Sequence, residues 1–343
     1  MRKNNITMIR LLSFSLAIVS GAAILALAPA APRAQEQYQY ESDFIAKRRV
    51  YESVGAGLRA IHRGPNGNYY ILTAPAPAVQ IYDPSGKRIA QVPNEKAAGI
   101  KGAALVYGES FDVDAEGRVA ACDRGANAVK IYSRDGTLSA TIPVSMPTSV
   151  VLLPGGEVAV ASPRTPFLVT VFDLTGKQVR EYGDREEIAD NADINNQVNY
   201  GQLTSDEIGN NYFAFDYLPE PTARKYDHVG YLTMEISLKT LEFQPAAQAA
   251  RRTIANSDRG IPALHRIITA MGVDRQSQEV WLGIGTLLMH FDKDGQRLES
   301  FRTFMPGSAR LEASTILVEP DRILIGADPQ GIYDFARPAK QTR

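Results

Sequence analysis

The chain has very little of what usually staples a fold or announces a chemistry. Among its 343 residues are one cysteine, one tryptophan and four histidines. A lone Cys122 excludes an intramolecular disulfide, so the fold must rest on its packed core. Cys122 sits in an apolar run and reads as a small buried residue. The histidines, His62, His228, His265 and His290, show no metal-ligand spacing. No G-x-S-x-G, H-E-x-x-H, phosphate loop or dinucleotide fingerprint occurs, which removes the enzyme classes that carry a contiguous motif. Neither charge sign is in excess, with 37 basic against 38 acidic residues. That balance lacks the clustered basic footprint of a nucleic-acid binder.

Long apolar runs are also absent after residue 28. Before it, Arg2, Lys3 and Arg10 precede an uncharged, mostly apolar stretch over residues 11–28, and Ala28-Pro29-Ala30 follows as an A-x-A-like cleavage site. The stretch reads as a signal peptide over residues 1–30 or, since it is just long enough to cross a bilayer, as an N-terminal anchor. Either reading exports the remainder to the periplasm or the outside, with membrane contact only through this segment if it is uncleaved. Residues 31–43 are polar and read as a linker, and residues 339–343 as a basic tail.

What the chain does have is 44% hydrophobic residues, 27 glycines and 20 prolines, a composition that suits many strands and turns. The stretch Gly117 to Gly136 is its unit: a short apolar strand, the corner Asp123-Arg124-Gly125-Ala126-Asn127, a second strand to Tyr132 and a closing Asp135-Gly136 turn. This is hairpin patterning. An aromatic followed by a short turn recurs at Tyr82-Asp83-Pro84-Ser85-Gly86, Tyr132, Phe172-Asp173-Leu174-Thr175-Gly176, Tyr226-Asp227-His228-Val229-Gly230, Phe291-Asp292-Lys293-Asp294-Gly295 and Tyr333-Asp334. A second turn lies upstream of each. Four short strands per copy, at roughly 40–50 residues per copy, predict propeller blades. Six copies predict an all-β, six-bladed β-propeller of four-stranded antiparallel blades over residues 44–338. The sixth copy lacks an outer strand after Asp334, and residues 49–53 are free to supply it and close the ring, which would leave no open edge.

Asp123 to Tyr132 resembles the NHL-repeat signature, in which an aspartate, an asparagine, a basic residue and an aromatic follow one another at these intervals. Blade four keeps Asp216 and Arg224, and blade six keeps Asp328. The resemblance implies a propeller of the NHL-repeat and gluconolactonase-like (TolB-like) group. In the related lactonases a Glu, two Asn and an Asp surround a metal in the central channel, where an ion polarises a carbonyl or acidifies water. The two asparagines have no counterpart at matching strand positions here.

In a propeller, turns between strands one and two and between three and four share one face, and the remaining connections share the other. Every long connection (residues 94–107, 184–200, 217–222 and 241–265) falls on the second face. Loops of this length in a compact domain are commonly functional. That face is therefore the expected binding surface for a protein, peptide or glycan. Residues 245–255, alanine-rich after a proline, predict a short helix, placed as a lid or as a packed spacer. Strand ends on the same face nominate Glu109, Asp123, Arg124, Asp216, His265 and Asp328 as ligand contacts. The aspartates equally read as caps for loop N–H groups. Asp190, Asp193 and Asn195 offer closely spaced oxygens of the kind calcium prefers, without an EF-hand pattern, so any cofactor would be calcium or another divalent ion. The leading functional expectation is an exported binding or scaffold module. The alternative is a metal-dependent, lactonase-like hydrolase or lyase.

Overall fold

The structure, a computed structural model, describes residues 42–240, 242–257 and 262–339. The expected signal or anchor, nearly all of the linker and most of the tail lie outside these residues. The described chain is all-β, six sheets of four antiparallel strands in a ring. Blade one runs outward as Leu58–Arg63, Tyr69–Thr73, Val79–Tyr82 and Arg88–Val92. Blades two, three and four repeat that order over residues 108–143, 149–182 and 201–237. Blades five and six follow over residues 268–304 and 315–336. The first strand of each blade packs against the first strand of the next, and that of blade six against that of blade one.

The sixth blade takes its fourth strand from the N-terminal side. Arg48–Val50 runs antiparallel to Gly331–Ala336, with Arg49 opposite Tyr333. The strand is shorter than the expected residues 49–53 because Tyr51 turns into the left-handed region at φ 51°. Its ring drops between Tyr69 and Tyr82, at centroid distances of 5.2 and 5.7 Å. Ahead of it, Ser42–Ile45 adds a fifth strand to blade five, parallel to Arg297–Phe304. Two residues of the expected linker are thus strand.

The recurring aromatic-Asp-x-x-Gly has a local cause. Asp83 Oδ1 accepts from the Ser85 N–H, the Ser85 hydroxyl and the Lys87 N–H. Asp173 repeats the pattern with Thr175 and Lys177, and Asp227 accepts from the N–H groups of Val229, Gly230 and Tyr231. An aspartate that ties down its own turn in this way favours its ionised form, and the carboxyls of Asp83, Asp173 and Asp227 are held below the usual range. Gly86, Gly176 and Gly230 close these turns at φ 90°, 91° and 111°, where a Cβ is disfavoured. In five blades the register between strands three and four slips by one residue beside the recurring aromatic.

Core lies between blades. One apolar cluster joins blades three and four around Phe213 and Phe215, another joins five and six around Trp281 and Phe335, and the other blade pairs have their own. The second strands are sandwiched on both faces, so Val119–Asp123 and Asn211–Phe215 are buried at every position. This accounts for unbroken apolar runs where a one-sided sheet would alternate. Cys122 is fully buried, and burial raises its thiol well above the ordinary range. Phe44 anchors the fifth strand against Phe335 and Phe301, at 4.7 and 5.0 Å. Phe44→Ala is expected to lower stability by about 3 kcal/mol, read from urea midpoints. Lys47→Ala, on an exposed position of the same segment, should stay within about 0.5 kcal/mol.

Candidate functional site

Because all six first strands line the axis, polar side chains on them converge on one space. A cavity of about 1050 Å³ follows the channel, reaching from Asp216, Arg266 and Glu109 on the long-connection face to Arg63, Asp274 and Glu319 on the short-turn face. A second pocket of about 430 Å³ lies at the long-connection mouth. The two share Arg59, Glu109, Tyr200 and Arg266, so the mouth opens into the channel.

Two hydrogen-bonded groups shape this junction. Glu109 stands near the start of the first strand of blade two, Gly108–Val113, with a side chain only 7% exposed. Its Oε1 accepts from the Tyr200 hydroxyl at 2.5 Å. Its Oε2 is buried without a hydrogen bond, the Arg124 guanidinium lying 3.7 Å away. Burial and the neighbouring Glu109 charge push the Tyr200 phenol far above its usual range, so it stays a donor. In the second group Asp216, fully buried beyond the second strand of blade four, accepts from the Gln202 amide at 2.8 Å and pairs with Arg266 at 2.8 Å. Burial pushes its carboxyl up to about 7; Arg266 and Gln202 oppose that rise and the Glu109 charge adds to it. Carboxyls tuned into this range serve acid–base chemistry well, and perturbed groups cluster at functional sites.

Around these groups the mouth is walled by rings and guanidinium groups. Arg59 lies over the Tyr107 ring at 5.6 Å and donates to its hydroxyl at 2.5 Å. Arg124 lies over Tyr200 at 5.9 Å, and Tyr217 meets Tyr200 edge-on at 5.8 Å.

The expected site residues divide. Glu109, Arg124 and Asp216 come together here. Asp328 lines the same channel, exposed, and accepts from the Gly57 N–H at 2.7 Å. Asp123 is fully buried instead, paired with Lys130 at 2.7 Å and accepting from the N–H groups of Val106, Tyr107 and Ala126. It holds the loop that presents Tyr107 and does not line either cavity. His265 is exposed and lines neither cavity; its neighbour Arg266 does. Asn195 gives its oxygen to the N–H groups of Ile188 and Ala189 and Asp190 is exposed, while Asp193 lines the mouth pocket, 3.5 Å from Arg164. Among the described residues, no group of three or more His, Cys, Asp or Glu side chains is arranged to hold a metal. At the channel mouth Arg266 pairs with Asp216 and Arg124 lies 3.7 Å from Glu109, whereas a lactonase-type ion would need carboxylate and asparagine oxygens free of such cations. These donors do not fit that ion.

The helix expected at residues 245–255 is Gln244–Ala255. Ile254 packs it into the apolar cluster between blades three and four and Phe243 into that between four and five, and it lines neither cavity, so it is a packed spacer rather than a lid. Sequence reading missed Arg59, Tyr200, Gln202 and Arg266. Each stands at or beside the start of a first strand, and polar residues at that repeat position were the available signal.

No protein-family model and no curated relative matches the chain. Solved structures match its fold. Virginiamycin B lyase from Staphylococcus aureus is similar at TM-score 0.51 and 14% identity, over 83% of this chain and 86% of that one. Hydrazine synthase from Kuenenia stuttgartiensis is similar at 0.52 and 11%, over 89% and 99%. The WD40 repeats of RRP9 are similar at 0.51 and 9%, over 84% and 96%. At such identities the likeness shows the propeller alone and does not single out the NHL-repeat or gluconolactonase-like group.

Asp216 carries a pH prediction. Its carboxyl stays protonated in the folded chain up to about pH 7, while the unfolded chain loses that proton near pH 4. The folded state therefore binds more protons across this window, and this contribution makes stability fall as pH rises from about 4 to about 7. Asp216→Asn should remove roughly 1–3 kcal/mol of that slope, seen as a variant-minus-wild-type stability difference larger at pH 8 than at pH 5. Equal differences at both values would place the proton elsewhere. Lys130→Met, which strands the buried Asp123 charge, should cost about 3 kcal/mol in thermal or urea unfolding.

Proposed function

We propose that the chain is an exported binding module that takes its ligand on the long-connection face, at the mouth pocket. The observation that carries this reading is the pocket itself. Guanidinium groups and tyrosine rings wall a concave space continuous with the channel, and Arg59 Nε, Glu109 Oε2 and Gln197 Oε1 are buried there without hydrogen bonds. Buried polar atoms normally have partners, so these side chains gain hydrogen bonds by turning toward a ligand in the pocket. Export rests on the N-terminal charge and hydropathy pattern. The partner classes consistent with the face are protein, peptide and glycan. WD40 repeats and a lyase among the similar folds accommodate both binding and catalysis, so the side chains must decide.

A second reading is favoured by Asp216. A buried carboxyl titrating near neutrality, with Glu109 and Tyr200 close by, suits proton transfer in a hydrolase or lyase. In that reading Asp216 exchanges the proton while Arg266 stabilises its ionised form.

A thermal-shift screen of small acids, sugars and peptides, run on the wild type and on Arg124→Ala and Glu109→Gln, separates the outcomes. Ligands that stabilise the wild type and lose most of that effect in both variants support the mouth pocket. Ligands that shift all three proteins equally bind elsewhere and overturn it. Turnover of a binding ligand that Asp216→Asn reduces more than a hundredfold, with binding retained, moves the assignment to the enzyme; such a loss is the size expected for general acid–base catalysis.

A further inference from the structure

We infer that the mouth pocket recognises an acidic sugar unit, a pyranose ring bearing one carboxylate among its hydroxyls. The inference rests on the binding reading above and names its ligand class. Charge is the first ground. Arg164 has Asp193 at 3.5 Å and Arg266 has Asp216 at 2.8 Å. Arg124 stands 3.7 Å from Glu109, beyond hydrogen-bond distance, and Arg59 has no acidic partner among the described residues, only the Tyr107 hydroxyl. Arg59 and Arg124 therefore keep guanidinium N–H donors that no carboxylate bonds, and a planar fork of donors matches a carboxylate.

Unsatisfied acceptors are the second ground. Glu109 Oε2 and Gln197 Oε1 are both buried in this pocket and lack hydrogen bonds. Turned toward the pocket that their residues line, these acceptors take donors from the same ligand that brings the carboxylate, and ring hydroxyls are such donors. The walls are the third. Tyr107, Tyr200 and Tyr217 offer flat faces and edges, while among the described residues Met146 and Pro163 are the only wholly apolar side chains of the lining. A pocket for a peptide anchor is normally apolar at its centre. A mostly polar pocket with aromatic walls suits a ring that has hydroxyls at its edge and C–H groups on its face. A volume of about 430 Å³ falls within the range of small-ligand sites, and continuity with the channel gives the rest of an oligosaccharide a path.

The test is calorimetric titration of the full chain with galacturonate and mannuronate oligomers, the neutral maltohexaose and a tetraglutamate peptide. The uronate oligomers are expected to bind, more weakly as salt is raised, and maltohexaose to bind at least tenfold more weakly. Arg59→Ala and Arg124→Ala should each weaken uronate binding about tenfold or more, and Arg124→Lys should restore only part of it, because an ammonium lacks the planar fork. Circular dichroism and melting temperature check that each variant folds, and Arg124, 41% exposed, is the safer of the two. Tetraglutamate bound through these arginines while uronates are not would overturn the sugar and leave the pocket standing. Uronate binding indifferent to both substitutions would overturn the inference and the pocket together. Failure of the uronate oligomers to bind at all overturns the inference, and the thermal-shift screen then judges the face independently.

Discussion

Packing one sheet face to face on the next, six times around, is the constraint from which the rest of this protein follows. A blade buried on both faces favours apolar side chains along its second strand, as in Val119–Asp123 and Asn211–Phe215. Polar chemistry is therefore displaced to strand ends, to turns and to the axis-facing first strands. Asp123 and Asp216 illustrate the rule. Both end a second strand on the long-connection face, and both are fully buried. Asp123 is neutralised by Lys130 and three backbone N–H groups, so it is part of the scaffold. Asp216 has Gln202 and Arg266, faces the channel, and holds a proton to near neutrality. The same repeat position thus serves as a fastener in one blade and as a cavity group in another.

The same constraint governs the ends of the chain and the insertions. A ring with an incomplete sixth blade would leave an open sheet edge, and Arg48–Val50 covers it. Ser42–Ile45 and Phe44 then extend the cover to blade five. Insertions are tolerated only where they do not pass between blades, which is why the helix Gln244–Ala255 sits at the rim with Phe243 and Ile254 tucked into existing apolar clusters. The mouth pocket is built by shorter segments: the loop carrying Tyr107, the residues just before the first strands of blades four and five, and Arg124 at a corner.

Much of this was legible in order of residues. The aromatic-Asp-x-x-Gly turns marked the third-to-fourth strand corners because their hydrogen bonds close within five residues. The apolar runs marked second strands because both faces are buried. The face that collects long connections followed from strand count alone. The residues that meet at the channel mouth were legible only in part. Of the candidates named from strand ends, Glu109, Arg124 and Asp216 line the cavities, whereas His265 does not and the adjacent Arg266 does, and Asp123 could not be told from Asp216 by its neighbours in the chain.

By itself, the sequence determined the class of fold, the number of blades and the turn chemistry, since each depends on interactions between residues a few positions apart. Only the tertiary structure decided which polar groups meet. Glu109 and Tyr200 are 91 residues apart in the chain, and Asp216 reaches Arg266 across the gap between blades four and five. The curvature of the ring brings such pairs together, and no local pattern of residues encodes that meeting.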